Sequence, residues 1–141
     1  MLTRKLGAAE LIKATIARLS ADALTSGYAV YDEVPDTATM PYVRVSVPTG
    51  VRSVKFGSRD YAVEENIIMI DVWSDYHGSK EAANYMNNIT QAMTSTALSI
   101  TDYSAPKQIL MEFAELMRDN TDPTDIKRHG VMRFSIHMDP T

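Results

Sequence analysis

Apolar side chains at Leu11, Ile12, Ile16, Leu19 and Leu24 recur at helical spacings, which predicts one buried face of a helix from about Ala8 to Leu24. Gly27 follows as its stop. A short strand is expected over Tyr28 to Tyr31, ended by Val34-Pro35-Asp36, and a loop then runs to Met40-Pro41. From Tyr42 to Val47 the alternation is strict, so Val43, Val45 and Val47 share one face and Tyr42, Arg44 and Ser46 the other. A second strand, Glu65 to Trp73, is apolar on both faces through Ile67, Ile68, Met69 and Ile70, the pattern of a strand in the middle of a covered sheet.

Between these two strands, Gly57-Ser58 suits a two-residue type II′ turn, with glycine where a positive φ is needed. A hairpin about that tip puts Val43 opposite Val72, Val45 opposite Ile70 and Val47 opposite Ile68 on one face. On the other face it sets Arg44 opposite Asp71 and Tyr42 opposite Trp73. A charge pair and an aromatic pair of this kind each contribute roughly 0.2–1 kcal/mol, and a one-residue slip would turn every side chain to the wrong face. Beyond Pro48 the hairpin would carry Val51, Arg52, Val54, Lys55, Phe56, Arg59 and Tyr61 outward over a length on the order of 25 Å. Pro48 and Gly50 are bend or bulge signals where the register can break, and a long loop over about 48–64 is the plainer alternative.

Gly78-Ser79-Lys80-Glu81 opens a second helix with Ser79 as N-cap and a stripe of Ala82, Met86, Ile89, Met93 and Ala97, ending before Ser99. From Lys107 to Met117 two periods compete. Ile109, Leu110, Phe113, Leu116 and Met117 fit a helix, Ile109, Met111 and Phe113 fit a strand, and periodicity alone favours the helix. The closing segment Val131 to Met138 alternates, with Met132, Phe134, Ile136 and Met138 on one face. The expected fold is therefore α+β: a mostly antiparallel sheet with two helices packed on one face and a long projecting β-hairpin.

The 141 residues fit a single domain, 1–141, with 45% hydrophobic and 23% charged residues. A net charge of -4 supplies no general field for nucleic acid or anionic lipid, which favours protein partners. The absence of cysteine excludes disulfides, thiolate nucleophiles and cysteine metal sites. Apolar runs are too short for a membrane span, and no signal-peptide pattern is expected at the N-terminus.

Candidate chemistry is sparse. Neither G-x-G-x-x-G, G-x-x-x-x-G-K-[ST] nor G-x-S-x-G occurs, so nucleotide cradling and serine hydrolysis have no starting motif. Asp71, Asp75 and His77 gather metal-ligating or proton-moving groups at the end of the central strand. The simpler reading has Asp71 paired with Arg44, Asp75 turning the chain into the second helix, and His77 exposed. His129 is expected in a polar turn and His137 on the polar face of the last strand, with no metal-triad spacing between them. Arg52, Lys55 and Arg59 interleave with Phe56 and Tyr61, a pattern for nucleic acid, for a solvated hairpin or for a subunit-to-subunit arm; Asp60, Glu64 and Glu65 dilute the first. No cofactor is expected.

The order of these features resembles the tail completion, or tail-to-head joining, proteins of siphophages, which are similar in fold to phage tail terminators. The stretches that carry the resemblance are Pro41-Tyr42-Val43-Arg44-Val45, then Ile70-Asp71-Val72-Trp73-Ser74 followed by Gly78-Ser79-Lys80-Glu81-Ala82, and last Arg128-His129-Gly130-Val131-Met132-Arg133-Phe134. The resemblance implies a strand, against periodicity, at Lys107 to Met117. It also implies a non-catalytic homo-oligomeric ring, typically a hexamer, that caps the tail tube and stops its polymerisation. The partners implied are the major tail tube protein and the head-tail connector; a hairpin lining the lumen, a role that the resemblance does not assign to 48–64, would add passing contact with DNA, and no membrane partner is expected. Its place would be the head-proximal end of the virion tail, after assembly in the host cytoplasm. The alternatives are a head-side neck or minor tail component, and a small metal-dependent hydrolase using Asp71, Asp75 and His77.

Overall fold

A computed structural model describes residues 7–47, 52–55, 62–101, 103, 109–120 and 124–138. Helix α1 covers Ala8–Ala21, followed by strands β1 (Val30–Tyr31), β2 (Tyr42–Ser46), β3 (Arg52–Lys55) and β4 (Ala62–Ser74). Helix α2 covers Lys80–Thr94, and β5 (Leu110–Asp119) and β6 (Lys127–Met138) close the chain. The sheet order is β1-β2-β4-β6-β5, with β3 also paired to β4. Only the β1–β2 pair is parallel. The fold is α+β, as the pattern predicts.

The β2–β4 ladder has the expected register: Tyr42 faces Trp73, Val43 faces Val72, Arg44 faces Asp71 and Val45 faces Ile70. That register breaks before β3, where Arg52 faces Glu65 instead of Val63. The shift is by two residues, so faces are conserved across it, and Pro48 and Gly50 lie in the interval. Half of β3 runs beside the main sheet, because Glu64 and Glu65 also pair with Met138 and His137 of β6. The Gly57-Ser58 turn and the expected hairpin tip lie outside the described residues.

Both helices lie on one face, where Val43, Val45, Ile68, Ile70, Val72, Met132, Phe134, Ile136 and Met138 form one core with Leu11, Leu19, Ile89 and Met93. Helix α1 departs from the expected stripe. It stops at Ala21, well before Gly27, and buries Leu11, Thr15 and Leu19 while Leu24 stays exposed. A period of four selects this set, and Thr15 enters it because its hydroxyl donates to the Leu11 carbonyl at 2.8 Å. In α2, Ala82, Ile89 and Met93 are buried as expected, Ala92 joins them, and Ala97 lies beyond the helix and exposed. Ser79 occupies the N-cap position without a side-chain capping bond.

Residues 110–119 form strand β5, which corrects the helical period. A helix needs one buried stripe, and nearly every side chain in this segment is exposed, so its apolar spacing is not a packing signal. What anchors the segment is its ladder to β6 and buried Ile109 at its start.

Two close fits lock α2 down. At the far end of α2, the Arg18 guanidinium donates to the carbonyls of Ala92 at 3.0 Å, Thr96 at 3.1 Å and Ala97 at 2.9 Å. It satisfies acceptors that the helix end leaves open and opposes the negative end of the helix dipole. Nearer the middle, Met86 presses on Gly130 of β6, where an added Cβ would sit 2.6 Å from its sulfur. Arg18→Met should lower stability by about 1–3 kcal/mol, read as a shift in urea midpoint at constant slope; an unchanged midpoint would rule out the capping role. Gly130→Val should cost about 1–3 kcal/mol through overpacking, and Met86→Ala introduced beside it should recover part of that loss.

Candidate functional site

Strand β4 is apolar on both faces, and helices cover only one of them. The opposite face carries, in rows across the sheet, Tyr42, Trp73, His129 and Met117; Arg44, Asp71, Val131 and Glu115; and Ser46, Met69, Arg133 and Phe113. Ile67, Met69, Trp73 and Val131 are only half-buried there. The apolar run of β4 thus fits the centre of a sheet, as expected, and among the described residues no helix covers its second face.

At the margin of that face, β5 exposes apolar side chains on both sides: Leu110 is 60% exposed, Met111 44%, Phe113 41% and Met117 37%. Phe113 has the Arg133 guanidinium 5.5 Å from its ring centroid. The outer edge of β5 pairs with no strand among the described residues. An apolar edge strand of this length is a template for pairing with another chain.

Asp71 faces Arg44 across the β2–β4 ladder, as expected. Its Oδ1 lies 2.9 Å from His129 Nε2, whose ring stacks on Trp73 at 3.8 Å between centroids. Arg44 turns its Nε toward the Asp32 carbonyl, at 3.4 Å. The Asp71–His129 contact arises because β6 lies against β4 on its other edge and brings His129 opposite Trp73, two residues along the same face from Asp71. His129 therefore sits in a strand, not in the polar turn expected of it. Asp75 and His77 are exposed past the end of β4, and the His77 carbonyl accepts from Arg128 at 3.0 Å. No group of three His, Asp or Glu residues that could hold a metal occurs among the described residues.

Of the expected arm residues, Arg52, Val54 and Lys55 fall on β3, and Phe56, Arg59 and Tyr61 lie outside the described residues. Two shallow clefts lie among the described residues. One, of about 350 Å³, is lined by Glu33, Val34, Tyr42, Arg44 and Trp73. The other, of about 270 Å³, lies by the start of α2 between Tyr28, Tyr76, Lys80, Glu81, Asn84 and Tyr85.

A sequence profile described as tail completion protein gp17 matches residues 9–139, almost the whole chain. The chain belongs to that family. Membership makes it a structural component of a bacteriophage-type virion, with a tail role. Twenty-five chains of solved structures match it. One, from the virion of a native gene transfer agent particle, superimposes with a TM-score of 0.78 at 23% identity over 96% of this chain and 99% of that one. At that identity the match shows a shared fold. No curated protein matches.

The tail completion fold places Tyr28 flat on Tyr85, with centroids 3.7 Å apart and planes within 5°, and Asn88 donates to the Tyr28 hydroxyl at 2.9 Å. Burial raises the Tyr85 phenol above its ordinary value, and nearby Tyr28 and Glu81 add to the shift. A raised value in the folded state favours the protonated phenol. Its stabilising effect is complete below the unfolded value of about 10 and disappears as pH rises through the folded value. Tyr85→Phe keeps the stack and removes the phenol, so its urea midpoint should fall less than the parent's between pH 9 and the alkaline side of pH 10. Equal falls would show that Tyr85 ionisation does not matter to folding.

Proposed function

We propose that the chain closes the tail tube and joins tail to head as a subunit of a ring, and that it does so without catalysing a reaction. The observation that carries this reading is the half-exposed apolar face of a sheet with an unpaired apolar edge, in a chain of the tail completion family. One subunit with two helices covers one side of its sheet, and further copies and neighbours are the natural cover for the rest.

A ring requires two different side surfaces that fit one another and two different ends, one for the tail tube protein and one for the head-tail connector. A hexamer fits this role. The segment containing Arg52, Val54, Lys55, Phe56, Arg59 and Tyr61 is the proposed contact with a neighbouring subunit or with the lumen. If it lines the lumen, its mixed charge lets DNA pass, since dense phosphate neutralisation would hold the DNA back. Asp71 and His129 are engaged with each other, and that pair, with Arg44 on the adjacent strand, serves to hold the open face in shape. Its place is the head-proximal end of the virion tail, reached after assembly in the host cytoplasm.

Particles made without the chain should show overlong or headless tubes in electron micrographs, and the chain should copurify with headless tails. Copurification with tailless heads instead would reassign it to the head side of the neck. Deleting residues 51–63 removes β3 and the first two residues of β4 while sparing every described member of the core cluster. The deletion variant should fold, by circular dichroism and cooperative melting, and fail to complete tails; normal infectious particles from it would remove the segment from the mechanism.

A further inference from the structure

The sheet has two open margins, and they differ. On one side β5 presents Leu110–Asp119, with three acidic residues, Glu112, Glu115 and Asp119, against one base, Arg118. On the other side β2 is already partly covered by β1, at Val43 and Arg44, whereas β3 pairs among the described residues with β4 alone. Strand β3 reads Arg52-Ser53-Val54-Lys55, with two bases and no acid. We infer that β5 of one subunit accepts β3 of the next, so that the antiparallel sheet continues from copy to copy around the ring. This rests on the ring reading above and names the surfaces that would close it.

Strand direction agrees with this pairing. Strand β6 is antiparallel to both β4 and β5, so β4 and β5 run the same way, and β3 runs against β4. A neighbour related by a simple rotation therefore brings its β3 antiparallel to β5 without reversing the sheet. The contact is heterologous, joining unlike edges, which is the type that closes into rings.

Charge selects between β3 and a second β5 as the occupant. Two β5 strands would bring like net charge together, whereas β3 and β5 attract. The ladder between β5 and β6 shifts at Met111/Phe113, leaving Glu112 as an extra, unpaired residue in an irregular stretch of the edge. A bulge and a carboxylate at an apolar edge discourage promiscuous pairing and leave the site to a strand that supplies cations. The exposed Leu110, Met111, Phe113 and Met117 then lie beside the joint on both faces of the extended sheet.

The chain contains no cysteine, so introduced thiols report without background. Ser53→Cys and Glu112→Cys are combined in one chain, assembled into tails in place of the parent, and treated with a short bismaleimide. A denaturing gel should show a ladder of covalent multimers extending to the ring number, and either single variant alone should stay monomeric. Dimers from Glu112→Cys alone would overturn the inference in favour of a β5–β5 contact. Rings visible on the tails but no ladder would overturn it while leaving the ring reading intact, and tails without any ring would overturn both.

A second measurement uses charge. Glu112→Lys with Glu115→Lys, both at exposed positions, should raise the subunit concentration needed for tail completion about tenfold. Adding Arg52→Glu and Lys55→Glu should restore it. Restoration absent in a variant whose melting is unchanged would sink the pairing.

Discussion

Strand β4 takes hydrogen bonds on both edges, from β2 and β3 on one side and β6 on the other, and the registers of those three strands are set against it. Its pairing with β2 puts two valines over Ile70 and Val72, and its pairing with β6 puts Met132 and Phe134 beside Ile70 and Ile68. That row forms the floor on which α1 and α2 pack. Because side chains alternate, a one-residue slip in either ladder would turn the floor outward. The Arg18 bonds and the Met86–Gly130 contact then fix where α2 lies over it.

The same strand also carries the apolar surface that the helices leave open. A residue pattern that is apolar on both faces asks for two covers, and the two helices among the described residues supply one. A larger domain would add a second helical layer. Here the second face keeps Trp73 stacked on His129 and leaves Ile67, Met69 and Val131 half-covered, while β5 extends the exposure to the margin. For a subunit whose role is to be one part of a virion tail, surface left uncovered in the monomer is what makes association favourable.

Much of this was legible in residue order. The alternation of Tyr42 to Val47 and of Val131 to Met138, and the facing of Arg44 with Asp71, are direct consequences of a period of two against a buried face. What escaped was whatever depended on a third element. Nothing local to Asp71 says that β6 will bring a histidine to it, and nothing local to Arg18 says that another helix will end beside it, 74 residues away in sequence. Strand β5 escaped for a different reason. Its apolar residues are nearly all exposed in this fold, so neither period in 107–117 marks an inward face. The resemblance to tail completion proteins decided that segment where periodicity pointed the wrong way.

An exposed apolar edge is a hazard to any subunit that must wait for its partners, since it can recruit any passing strand. The acids of β5 change that balance. Carboxylates exposed at the edge, as at Glu112 and Glu115, remain hydrated at little cost, but burying them against a neutral or acidic strand would strip that water without replacement. Pairing with a basic strand replaces the lost hydration with opposite charge, so the apolar contacts at Leu110, Met111, Phe113 and Met117 become available only along with the right polar partner. On that account the apolar residues supply the drive to assemble and the charged ones decide with what. A net charge of -4 on the whole chain adds general repulsion between free subunits, which a local basic edge overcomes only at short range and in one orientation.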